Sequence, residues 1–346
     1  MRIERLRFFR PLSSTETGTR RPQLLTRVPA LRMWLCAAML AVFGCAAALA
    51  QVKDYSTVVV FGDSLSDTGN VAHLAFTEYG IAAPGPVYEG DQLVIDYTLG
   101  RFTDGADTIP AAQNYAGVWI EQLAAMMPSR PAIEDSLDGG TNYAYGFATT
   151  GSGTSPLCLG GLCVQVENIG QQITDYLSTH PKIDRHTLFV IWGGTNDLLN
   201  ATSPADVADA AIRQVLNIQR LIQAGATQIL APNLPPLGLT PRFNGSLSAQ
   251  AEATAASALF NSYLALGISL LKALYGWRHV RIYQLDVFNL MLSVAASPGS
   301  YSLTNVTAPA QYMPVDPDTY LFWDDLHPTT KGHNIVAEAA ASVLSQ

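Results

Sequence analysis

The sequence predicts an α/β fold: a three-layer α/β/α sandwich, with a parallel sheet of about five strands and helices on both faces. Three observations lead there. Five short apolar, β-branched runs each end on a small or polar residue. Amphipathic stretches of helical spacing fall between them. Two of the runs are apolar almost without a break, as strands buried on both faces are. Alternation of this kind makes successive strands parallel and lays the crossing helices over the sheet.

"TVVVFG" (57–62) is the first strand, and it breaks at Gly62-Asp63-Ser64. The stretch from there to residue 141 is too long for one crossover and is rich in Gly, Pro and Tyr. An insertion around 72–140 is expected, either as a wall of a substrate cleft or as a surface loop. Within it, "AGVWIEQLAAMM" (116–127) has helical spacing. "NYAYG" (142–146) is the second expected strand, "VENIGQQITDYLSTH" (166–180) a helix, and "TLFVIWG" (187–193) the third strand. The next helix, 205–225, carries an N-cap at Ser203, Pro204 in its first turn and Gly225 at its end. "TQILAP" (227–232) and "HVRIYQL" (279–285) flank a helix over 251–274, and a last helix follows Pro328. No repeat or second boundary interrupts residues 51–346, which are expected to form a single domain.

Residues 1–50 read differently. They hold eight arginines against Glu4 and Glu16. Arg27 and Arg32 precede the apolar run "MWLCAAMLAVFGCAAALA" (33–50), which closes on the small-x-small pattern Ala48-Leu49-Ala50. That is the pattern of a signal peptide cleaved near Ala50, so the protein is expected to be exported, periplasmic or secreted. A lipoprotein box at Val42–Cys45 and an uncleaved anchor are the competing readings. With the leader set aside, 12 Lys and Arg face 26 Asp and Glu. So acidic a body is unsuited to nucleic-acid backbones, and no nucleic-acid partner is expected. Cys158 and Cys163, in "SPLCLGGLCVQ", are the cysteines beyond the leader. In an exported chain, a pair this close reads as a small disulfide loop. No histidine lies near them in sequence to complete a metal site.

In a doubly wound sheet, chemistry collects beyond the carboxyl ends of the strands. Ser64 follows the first strand. Backbone N–H groups exposed at such a turn suit a nucleophile whose product is an oxyanion. Alone it reads more readily as a helix N-cap. A serine nucleophile needs a base, and the base an acid to hold its tautomer. "FWDDLHPTTKGH" (322–333) offers Asp324 and His327 three apart before a proline-initiated helix, with Asp325 and His333 as rivals. Asn196, in "IWGGTNDLLN" (191–200), presents an amide donor after the central strand, or an ordinary Asn-Asp turn. Gly146 ends the second expected strand, where a backbone N–H can approach a substrate closely.

Taken together, these blocks resemble the GDSL family of the SGNH hydrolases, in its long bacterial and fungal lipase/esterase branch. "FGDSLSDTGN" is similar to the first block of that family, "GTND" (194–197) to the Gly-x-Asn-Asp block and "DDLH" (324–327) to Asp-x-x-His. "GRFTDG" (100–105) and "NLPPLGLTP" (233–241) add to the likeness. The resemblance implies a flavodoxin-like (SGNH) sheet and acyl transfer through a serine ester. It implies Ser64 as nucleophile, His327 as base and Asp324, rather than Asp325, as its orienter. An oxyanion hole would be formed by the Ser64 and Gly146 N–H groups and the Asn196 amide, with no metal or organic cofactor. One departure stands out. Phe147 occupies a position where a second glycine is common, so the backbone donor belongs to Gly146 or to Phe147, and Gly146 is the first choice. The implied substrates are small-molecule or lipid esters, with transient contact at a membrane surface. A carboxylesterase or lipase ranks ahead of a phospholipase, a glycerophospholipid acyltransferase and a carbohydrate deacetylase. A non-catalytic binding module is the reading from another class. A phosphate-binding flavodoxin-like protein is disfavoured, because no Gly-rich phosphate loop follows the first strand.

Overall fold

The computed structural model describes residues 52–346 apart from 82, 86, 90–91, 96, 105–115 and 160–161. The expected leader and its cleavage point lie outside the described residues. In chain order, β1 (Thr57–Gly62) leads through α1 (Asn70–Tyr79), the short hairpin β2 (Val87–Glu89) and β3 (Gln92–Ile95), and α2 (Trp119–Met126). A second hairpin, β4 (Thr154–Leu159) and β5 (Leu162–Glu167), precedes α3 (Ile169–Thr179) and β6 (Thr187–Trp192). Then come α4 (Thr195–Asn200), α5 (Pro204–Ala224), β7 (Gln228–Pro232), α6 (Leu247–Tyr275), β8 (Arg281–Leu285) and α7 (Val287–Ala296). A parallel pair, β9 (Asn305–Pro309) and β10 (Tyr320–Phe322), leads into α8 (Thr330–Leu344).

The main sheet is four-stranded, β1-β6-β7-β8, and every pair is parallel. Its centre is dry. All six residues of β6 are buried, as are Val58 to Gly62 of β1. Burying side chains such as Phe61, Phe189 and Ile229 stabilises the fold by about 1.5–3 kcal/mol each. α5 packs with both α3 and α6, and α2 packs with α8. These are the helical layers on the two faces of the sheet. Residues Ala50–Gln346 form one unit by their contacts. α5 begins and ends as its sequence directs: Ser203 Oγ accepts the Asp206 N–H at 3.3 Å, and Gly225 closes it with φ +118°. α6 is long and apolar enough to cross a membrane by length and composition, but Phe260, Leu264, Ile268 and Leu271 are buried in this fold.

The second expected strand is corrected. "NYAYG" meets β1 through a single parallel bridge, Val60 to Asn142. The Val60 amide donates to the Thr141 carbonyl at 3.0 Å, and the Tyr143 amide to the Val60 carbonyl at 2.8 Å. The Tyr145 amide still reaches the Gly62 carbonyl at 3.3 Å, but the ladder stops there because Gln172 occupies Gly62: its Oε1 accepts the Gly62 N–H and its Nε2 donates to the Gly62 carbonyl, both at 2.9 Å. The Asn142 side chain is bound up as well, donating to the Ser66 carbonyl (2.6 Å) and Thr68 Oγ1 (2.9 Å) and accepting the Ala144 N–H at 3.0 Å. Side-chain bonds of this kind compete with a strand's own. In position the segment still completes the doubly wound order 2-1-3-4-5, whose switch point lies between β1 and β6. The loop around the cysteines is in fact the β4–β5 hairpin, with Cys158 opposite Cys163 and the two joined as a disulfide.

Candidate active site

The register of the sheet sets Gly62 of β1 beside Trp192 of β6, so the turns that follow these strands emerge side by side. A Cβ at position 62 would meet the Trp192 carbonyl at 2.7 Å, which is why the strand ends on glycine. Ser64 sits in the first turn and is 6% exposed. Its Oγ lies 2.8 Å from Nε2 of His327, and Nδ1 of the same ring lies 2.7 Å from Oδ2 of Asp324. Asp324 is held in turn, its Oδ1 accepting the backbone N–H groups of Leu326 (2.7 Å) and His327 (2.6 Å). Three side chains named from sequence therefore converge in one hydrogen-bonded line.

Electrostatics fit that geometry. Burial disfavours a charged Asp324, but the His327 charge and the bonds just described hold its pKa well below the usual carboxylate range. Burial works against an imidazolium at 327, yet Asp324, and beyond it Asp63 and Asp325, leave the His327 pKa above the ordinary histidine value. The rivals fall away. Asp325 is bound up with Arg242, its Oδ2 2.9 Å from Nε. His333 is buried inside α8, where its Nδ1 accepts the Trp119 N–H at 3.2 Å and burial pushes its pKa down to about 3.

Asn196 opens α4 beyond the end of β6. One Nδ2 hydrogen goes to the Ala148 carbonyl at 3.0 Å, which leaves the other for a ligand. Asp197 beside it accepts the Thr150 N–H and hydroxyl, both at 2.8 Å, and pairs with Arg213 at 3.0 Å. These two residues pin the 146–150 turn to α4.

Gly146 is corrected as the backbone donor. Its N–H is committed to Oδ2 of Asp67 at 2.8 Å. Glycine is needed there for a different reason: a Cβ would meet the Phe102 ring at 2.5 Å. That ring packs 5.1 Å, centroid to centroid, from His327. The neighbouring amide, Phe147, has no acceptor among the described residues, and neither has Ser64. Phe147 adopts φ +66°, the left-handed region that favours glycine. Its side chain turns outward, 39% exposed.

One feature escaped sequence reasoning. Tyr97, from the insertion, donates its hydroxyl to Oδ2 of Asp324 at 2.8 Å. Burial, and then the Asp324 charge, push its pKa up, so it stays a neutral donor. Only the abundance of Tyr in the insertion hinted at it. Asp63 Oδ1 accepts the Leu65 N–H at 3.1 Å, its Oδ2 is buried without a partner among the described residues, and burial pushes its pKa up to about 7.

A cavity opens beside Ser64 and His327. Leu237, Leu239, Val287, Met291, Leu321 and Leu326 form much of its wall. Walls of this character suit an apolar ligand.

A strand-end serine, histidine and aspartate in one hydrogen-bonded line, beside amides without acceptors, is the arrangement of a serine hydrolase. The GDSL-like Lipase/Acylhydrolase family matches residues 58–340, and the chain belongs to it. A protein of the trpE-trpG intergenic region of Pseudomonas putida is 30% identical over 93% of this chain and 53% of its own length. A GDSL esterase/lipase of Arabidopsis thaliana is 27% identical over 79% of this chain and 82% of its own. The phosphatidylcholine-sterol acyltransferase of Aeromonas hydrophila is 26% identical over 84% and 90%. The chain thus spans about half the length of the Pseudomonas putida relative. Family membership makes it a hydrolase of ester bonds.

Proposed function

We propose that the protein is an exported carboxylesterase or lipase that works through an acyl-enzyme on Ser64. The observation that carries this is the 2.8 Å contact between Ser64 Oγ and His327 Nε2, with Asp324 on the far side of the ring. His327 takes the Ser64 proton as Oγ attacks the ester carbonyl carbon. The Ser64 and Phe147 N–H groups and the Asn196 amide receive the oxyanion, donors worth about 3–4 kcal/mol each in comparable sites. The imidazolium then gives its proton to the leaving oxygen, alcohol departs, and Ser64 holds the acyl group. Water attacks next, His327 takes its proton, and the acid leaves. Asp324 keeps Nδ1 protonated and steadies the imidazolium throughout.

The apolar cavity beside Ser64 supports an acyl chain as its occupant. The Cys158–Cys163 disulfide supports an oxidising compartment, in line with the expected leader. Hydrolysis of p-nitrophenyl esters from acetyl to palmitoyl tests the reading. Turnover that disappears in Ser64→Ala is expected. Undiminished turnover in that variant, or none on any ester by folded wild-type protein, would overturn it.

A further inference from the structure

The parallel sheet gives the molecule two unlike ends. Ser64, Asn196 and His327 lie beyond the carboxyl ends of the strands. The segments that lead into the strands gather at the opposite edge, and charge is segregated there. Segments 52–56, 181–186 and 225–227 precede β1, β6 and β7, and segment 276–281 runs into the first residue of β8. Segment 128–132 joins them, because Ser129 Oγ donates to the Tyr55 carbonyl at 2.9 Å. Together they hold Lys53, Arg130, Lys182, Arg185, Arg278 and Arg281, which is half the 12 Lys and Arg that follow residue 50. Of the 26 acids that follow residue 50, they hold Asp54 and Asp184. His186 and His279 stand among the cations. A bowl of about 690 Å³ is lined by Lys53, Arg185, Arg278 and these histidines, with Asp54 as its acid. Among the described residues, none of the six cations is in an ion pair.

An apolar stripe runs down to this edge. Leu266, Leu270, Leu274 and Trp277 recur at helical spacing along the last turns of α6 and just past its end, and all are exposed (60, 57, 60 and 78%). Trp277 donates its Nε1–H to the Leu274 carbonyl at 3.0 Å, which satisfies its polar atom and leaves the ring outward. Arg278 and His279 follow it directly. Leucines ending in a tryptophan beside a cluster of cations, on an otherwise acidic body, match the layering of an anionic bilayer surface: acyl tails, headgroup interface and phosphates. The chain also enters the domain here, Val52 following the apolar run 33–50.

We propose that this edge is a docking surface for anionic lipid membranes, seated by the C-terminal turns of α6 and held by the cations around it. Docked this way, the molecule turns Ser64 away from the bilayer that holds it, so substrates are taken from the aqueous side.

Residues Ala50–Gln346 form a unit with its own core, so the protein is tested from Gln51 onward to remove the apolar leader. Co-sedimentation with phosphatidylglycerol vesicles and with phosphatidylcholine vesicles is the assay. Binding to the first and not the second is expected, and it should weaken as salt rises. Arg185→Ala and Arg278→Ala should each weaken it about fivefold. Trp277→Ala and Leu274→Ser should weaken it as well. Hydrolysis of a soluble short ester should be unchanged in all four, which also shows that they fold. Three results would each overturn the proposal. One is no binding to either vesicle. Another is binding that ignores the variants or the lipid charge. The third is a dimer in sedimentation velocity that Leu274→Ser dissociates, because a second copy would then cover the stripe.

Discussion

Replacing Tyr97 with Phe removes one hydroxyl, and with it a hydrogen bond to Oδ2 of Asp324 at 2.8 Å. The ring keeps its place against Trp323, 6.4 Å between centroids and nearly edge-on. A hydrogen bond to a charged group is worth about 1.5–3 kcal/mol, and one pKa unit corresponds to about 1.4 kcal/mol. Passed wholly to the triad, the loss would move a pKa by about 1–2 units. Oδ2 also serves His327, so the shift expected on the imidazole is about half of that, roughly 0.5–1 unit. Its sign follows from the donor. Without the phenol, Asp324 holds the imidazolium more tightly, and the His327 pKa, already above the ordinary value, rises further. Catalysis needs neutral His327, so the acidic limb of kcat/KM for ester hydrolysis should move to higher pH. Tyr97→Phe should lose activity near neutrality and regain the wild-type rate at alkaline pH. A limb that stays in place, or moves toward acid, would refute this account of Tyr97, and a uniform loss at every pH would reduce Tyr97 to packing.

Asp324→Asn should leave the fold intact and lower kcat about 10⁴-fold, because the amide favours the wrong imidazole tautomer; steady-state kinetics with a circular-dichroism control checks it. In the wild type, the acidic limb of kcat/KM should lie above pH 6.5, the unperturbed histidine value, since His327 is shifted upward. Met291→Trp should fill the cavity beside Ser64. A kcat/KM series should then show long acyl esters losing at least tenfold while acetyl esters are spared, each buried CH₂ being worth about 0.8 kcal/mol.

The scaffold was legible where one physical signal dominates. Val58–Phe61 and Leu188–Ile191 are continuously apolar because both faces of their strands are covered, and both runs lie in the sheet. Ser203, Pro204 and Gly225 bound α5 because helix ends must satisfy their own backbone groups. The spacing of Asp324 and His327 allowed that carboxylate to reach that ring but left Asp325 and His333 as rivals, and the likeness of "DDLH" to Asp-x-x-His selected Asp324 over Asp325. Other features depend on partners far along the chain. Residues 142–146 are a run of strand-forming residues, and only the bonds of Gln172 to both backbone groups of Gly62 reveal why the ladder stops. Gly146 and Phe147 are adjacent amides, and Asp67 decides which of them is free. Tyr97 reaches Asp324 across 227 positions, which no local pattern encodes. The β4–β5 hairpin was hidden because the glycines in "SPLCLGGLCVQ" made that stretch read as loop.

The central claim is that His327 activates Ser64 as a nucleophile. The most direct test is reaction of the folded protein with a fluorophosphonate, followed by mass spectrometry of its peptides. One adduct is predicted, on Ser64, absent from Ser64→Ala and formed along the same acidic limb as ester hydrolysis. Folded protein that takes up no label, or takes it up at another residue while Ser64 stays unmodified, would contradict the account.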